Sequence, residues 1–129
     1  MRKIKYILPV IIAFSSMCYS VHAQQKDPSR INDIFFQYVV QTLELKPREA
    51  AQMRPLVKEY LYKRREIGSA YSDPLEREKK ILDLKISSRK QMAAIIGMQR
   101  ANSFFASEQN FRRKVRDEIR QRNSQKKFN

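Results

Sequence analysis

From Ile31 onward, apolar residues return at every third or fourth position, and polar stretches divide the pattern into four segments. Ile31, Ile34, Phe35, Tyr38, Val39 and Leu43 form the first stripe, the spacing of a helix buried along one face. Asp27 is suited to its N-cap and Pro28 to its first turn. Phe36 and Val40 widen the stripe, so two sides of this helix are expected to find cover. The second segment opens near Pro47 and carries Met53, Leu56, Val57, Tyr60, Leu61 and Ile67 up to a break at 68–72. Pro55 lies in its interior and has no N–H for the carbonyl of Ala51, which predicts a kink over 51–55.

Asp73-Pro74-Leu75-Glu76 is the strongest local signal: an N-cap, a first-turn proline, and an acidic residue placed to close a capping box. The third helix should run from there to about Ile96, with Leu75, Leu82, Ile86, Ala93 and Ile96 on one stripe. Ile81, Leu84, Met92 and Ile95 lie beside it, and Gly97 suits a left-handed stop. Ala101, Phe104, Phe105, Glu108, Phe111, Val115 and Ile119 make the fourth stripe, and fraying is expected from about 123. The expected core comprises Ile34, Phe35, Tyr38, Leu56, Tyr60, Leu82, Ile86, Phe104, Phe105, Phe111 and Val115. The fold class is all-α: about four helices in antiparallel hairpins, elongated, forming a single domain over 24–129. A thin layer of long helices leaves apolar surface outside, so a homodimer is the expected way to cover it.

Residues 1–23 have the form of a signal peptide. Arg2, Lys3 and Lys5 start it, Ile7 to Phe14 supply an apolar run broken by Pro9, and Val21-His22-Ala23 fits the small-x-small cleavage rule. That run is far shorter than the roughly 20 residues that span a bilayer. The expectation is export to the periplasm with a cut after Ala23; a lipoprotein cut before Cys18 is the alternative. Either route matters chemically, because Cys18 and His22 are the only cysteine and histidine. After the Ala23 cut, cysteine nucleophiles, histidine bases, disulfides and zinc sites with nitrogen or sulfur ligands have no residues to use. Glu49, Glu59, Glu108 and Glu118 read as isolated carboxylates. No enzyme and no cofactor is expected.

Charge gives a more positive indication. Twenty-seven Lys and Arg stand against 13 Asp and Glu, a net +14 of which the signal segment accounts for only three basic residues. Lys58, Arg65, Lys85, Arg89, Arg112, Arg113 and Arg116 lie along the three long helices, and with Tyr62 they are the candidate client- or partner-binding residues. Such a field speeds encounter with acidic partners. Phe36, Tyr62, Tyr71 and Met98 fall off or at the ends of the stripes and are candidates for exposed apolar contacts.

Three stretches carry a resemblance. Leu45-Lys46-Pro47-Arg48-Glu49 opens the second helix, Met53-Arg54-Pro55-Leu56-Val57-Lys58-Glu59-Tyr60 holds its proline, and the last helix contains Phe104-Phe105-Ala106-Ser107-Glu108-Gln109-Asn110-Phe111-Arg112-Arg113. In this order, over about 31–122, the chain resembles the Spy/CpxP-like periplasmic proteins, in the Bacteroidetes-type variant often labelled as sensors of extracytoplasmic sigma factors. The family's Leu-Thr-x-x-Gln mark reads here as Leu45, Lys46, Pro47, Arg48 and Glu49, and its second copy as Ile95-Ile96-Gly97-Met98-Gln99. Glu49 can still reach back to free amides, whereas Lys46 cannot accept a capping bond. The resemblance implies an antiparallel, cradle-shaped homodimer that shelters unfolding clients without ATP. Regulation of a membrane-bound stress sensor or anti-sigma system is the alternative, and binding of polyanions or an anionic membrane surface a second one. Nucleic acid is not expected, because no recognition motif accompanies the charge.

Overall fold

The computed structural model describes residues 28–127, and the expected signal segment and the Asp27 cap lie outside them. Four helices follow one another: α1 (Pro28–Thr42), α2 (Pro47–Ala70), α3 (Pro74–Ile96) and α4 (Met98–Lys126). No strand occurs among the described residues. Each helix packs against the next, and α1 also packs against α4, so the four close into a ring. The all-α hairpin architecture is therefore as expected.

Three short joints set the geometry. α1 stops because Glu44 turns to φ 51°. The Leu45 amide then donates to the Val40 carbonyl at 3.0 Å, and the Glu44 amide to Gln41 at 3.3 Å. This is a Schellman-type stop built on a glutamate rather than a glycine. At the next joint the Asp73 carboxylate accepts from the Leu75 and Glu76 amides at 2.8 and 3.1 Å. The Arg77 guanidinium holds the Tyr71 and Ser72 carbonyls behind it. Gly97 alone separates α3 from α4, at φ 81° and ψ 160°, a region beyond the ordinary left-handed helix and nearly closed to other residues. Its amide donates to Ala93, and its carbonyl accepts from Ala101.

α2 continues as one helix through Pro55, which sits on its exposed side. α4 runs to Lys126, beyond the expected onset of fraying near 123.

The core gathers Phe35, Phe36, Val39, Leu43 and Leu45 with Met53, Val57 and Tyr60 of α2, Met92 and Ile96 of α3, and Ala101 and Phe104 of α4. Phe104 is its centre, edge-on to Phe35 and Tyr60 with ring centroids 5.7 Å away in both cases. Tyr38, Leu56, Phe105 and Phe111 are half-buried at the core's margin, and Val115 is half-buried further along α4.

Three core expectations are corrected. Ile34 and Ile86 are each 51% exposed and Leu82 is 55% exposed. The inward face of α3 carries Ser88, Met92 and Ile96, which takes Met92 from beside the expected stripe and Ile96 from its end. Leu75, Leu82 and Ile86 lie about a third of a turn away from it, outside the space enclosed by α2 and α4. Phe36 is corrected in the opposite sense: it is buried, with the Arg54 guanidinium 4.5 Å above its ring.

Candidate functional site

Two surfaces combine positive charge with apolar side chains. The first is a groove of about 680 Å³ where α1 begins. Its apolar lining includes Ile31 and Phe35 of α1, Leu61 of α2, and Phe111, Val115 and Ile119 of α4; Arg64, Arg65, Arg112 and Arg116 supply its charge. The helical period accounts for this gathering. Arg64 and Arg65 follow the buried Tyr60 by one turn on α2, and Arg112 and Arg116 follow the buried Glu108 by one and two turns on α4.

Beneath the groove lies a polar knot. Glu108 is 2% exposed. Its Oε1 accepts from the Tyr60 hydroxyl at 2.8 Å and from Arg64 Nη1 at 2.9 Å, and Arg64 also donates to the Tyr60 oxygen at 3.0 Å. Its Oε2 is buried without a hydrogen-bond donor, and Arg112 Nε stands 3.7 Å away, within Coulomb range but too far for a good hydrogen bond. Burial, followed by the Glu108 charge and hydrogen bond, pushes the Tyr60 phenol well above its ordinary range. The Arg112 guanidinium is shifted down, first by burial and then by the charge of Arg64. The knot therefore fixes α2 against α4 while leaving positive charge in excess at the groove.

The second surface is the outer face of α3. Ile86, Arg89, Lys90 and Met98 border one shallow depression with Asp83 and Ser87, and Leu82 stands exposed one turn before Ile86. Arg89 reaches Asn102 at 3.4 Å.

Of the eight residues singled out for binding, the groove unites Arg65, Arg112 and Arg116. Tyr62 is exposed beside Arg65 in a neighbouring depression, and a hydrogen bond to Glu66 raises its phenol pKa. Arg89 belongs to the α3 face. Lys58 and Arg113 are exposed and Lys85 is half-buried; none of the three lines the groove or the α3 depression. The expected apolar contacts Tyr62 and Met98 are exposed, whereas Tyr71 is half-buried beneath the Lys80 ammonium.

The helix-entry motif is structural. Leu45 is buried in the core, and Glu49 accepts from the Lys46 amide at 3.1 Å while pairing with Arg100. That pairing with Arg100, followed by the Lys46 amide bond, holds the Glu49 carboxyl below its usual range. It ties the entrance of α2 to that of α4.

Glu108 is tied to Tyr60, Arg64 and Arg112, partners that the sequence did not give it. Its signal was a single acid on an aromatic stripe, with Arg112 one turn on and a Tyr-Arg pair at the same spacing on α2. Among the described residues no cluster of His, Cys, Asp and Glu could hold a metal ion. Nor is any helix there long and apolar enough to cross a membrane. The chain matches no family model, no curated protein and no solved structure.

Proposed function

We propose that this is a non-enzymatic binding protein of the bacterial envelope, of the Spy/CpxP kind, which holds unfolded or partner polypeptides by their apolar and acidic side chains. The observation that carries this reading is the outer face of α3, where Leu82 and Ile86 stand more than half exposed beside Arg89, Lys90 and Met98. Large aliphatic side chains held out on a folded helix lose part of the hydrophobic stabilisation open to them, and a contiguous patch of this kind marks an interaction surface. Basic neighbours supply long-range attraction to acidic chains, and flexible Met and Lys side chains adapt to varied contacts. Export through the 1–23 segment would place this surface among polypeptides unfolding outside the cytoplasm.

The test is suppression of client aggregation followed by light scattering, at low and at high salt. The protein is expected to delay aggregation, and Leu82→Ser/Ile86→Ser to lose most of that effect while unfolding at the same temperature. No delay at either ionic strength, or full activity in the double variant, would sink the reading.

A further inference from the structure

We propose that the groove lined by α1, α2, α4 and Ile81 of α3 is a binding site for a linear amphiphile ending in a carboxylate, a medium-chain fatty acid. This site is separate from the α3 face on which the polypeptide-binding reading rests, so the two stand or fall independently.

Size and shape come first. At about 680 Å³ the groove falls within the range of small-molecule sites, about 300–1,000 Å³. Its walls are helix surfaces carrying Ile31, Phe35, Leu61, Phe111, Val115 and Ile119. Helical walls have already spent their backbone N–H and C=O groups on one another. A peptide buried in the groove, unlike one laid on the open α3 face, would have to pair its amides inside it, where Asn32 and Ser69 are the uncharged polar side chains of the lining. A hydrocarbon chain has no such groups to satisfy.

Charge then selects the head group. Arg64 is committed to Glu108 and Tyr60. Arg65 and Arg116 line the groove without an ion pair to any described residue, and Arg112 meets Glu108 only at 3.7 Å. The groove's lining thus holds one carboxylate, Glu108, and four guanidiniums. The depression of the Arg112 pKa by its burial and by its cationic neighbours is relieved by a bound anion. A planar fork of N–H donors suits a carboxylate.

The probe is decanoate, titrated calorimetrically into the protein below the concentration at which it forms micelles. Saturable one-to-one binding is expected, with decan-1-ol, the same chain without the charge, weaker by about tenfold or more. Arg65→Gln/Arg116→Gln is expected to weaken decanoate by about tenfold and to leave decanol unchanged. Both arginines are exposed, so the thermal unfolding of that variant should match the parent. Arg48→Gln/Lys79→Gln removes the same charge elsewhere and should stay within about twofold, which separates a local site from the general field. Chemical shifts of the Val115 and Ile119 methyl groups should move with saturation. Equal binding of decanol and decanoate would overturn the proposal, as would no saturable binding. So would an acidic amphipathic helical peptide that shifts the same methyl groups and resists displacement by decanoate. A dimer in sedimentation together with failure to bind decanoate would instead assign the groove to a second copy.

Discussion

The two ends of this helical ring are built differently. At one end α1 covers the early turns of α2 and α4, and the fully buried aromatic and aliphatic side chains lie there, from Phe35 through Met53 and Tyr60 to Phe104. At the other end, past the described start of α1, no residue from Leu61 to Ser87 is buried, and none from Gln109 to Lys127. A helix buries only what a neighbour covers, and α1 is 15 residues long beside helices of 24, 23 and 29. Among the described residues, the core thus reaches about as far along α2 and α4 as α1 does.

Substitutions separate the two ends most strongly at Phe104. The ring is 0% exposed and touches aromatic neighbours on α1, α2 and α4. Phe104→Ala should cost about 3–5 kcal/mol in denaturant unfolding, through lost transfer energy and a cavity. Leu82→Ala removes an equally apolar side chain from the open end and should cost no more than about 0.5 kcal/mol. Comparable losses at both positions would show that something covers the α3 face in solution.

The next largest effect belongs at the boundary, where the Glu108 knot separates core from groove. Removing one partner of a buried ion pair leaves the other charge uncompensated, at about 3–5 kcal/mol. Arg64 retains some exposure and Arg112 stands nearby, so Arg64→Ala should fall near the lower limit, about 3 kcal/mol. Arg64→Ala/Glu108→Gln should recover a large part of that loss, because the neutral amide no longer needs a counter-charge. A double variant less stable than Arg64→Ala would mean that the pair's hydrogen bonds, rather than its charge, dominate.

Helix number, order and entries were legible in the sequence because local rules set them. Pro47 and Asp73-Pro74 mark entries, and Gly97 marks the joint between α3 and α4. What local periodicity could not assign was the inward face of α3. Leu82 and Met92 both sit on apolar stripes, and only the placement of α2 and α4 decides that Met92 is buried. The groove was half legible for the same reason. Arg65, Arg112 and Arg116 stood out by charge, yet Glu108 became meaningful only when Tyr60 and Arg64 arrived from 48 and 44 residues away.

The smallest effect concerns the joint that ends α1, the helix that covers the buried end. Glu44 holds φ 51° with no side-chain bond to any described residue, in a conformation where a Cβ costs about 1–2 kcal/mol. Glycine removes that cost, though it gives back about 0.4–1 kcal/mol by loosening the unfolded chain. Glu44→Gly should therefore raise stability by about 0.5 kcal/mol, and Glu44→Ala, which keeps the Cβ, should not. Because the Leu45 and Val40 side chains that flank the turn both pack in or against the core, the gain should appear in global unfolding rather than as local fraying of α1. Should glycine destabilise instead, the glutamate side chain contributes more to the stop than its backbone angle costs, and α1 owes its stop to charge rather than to the turn.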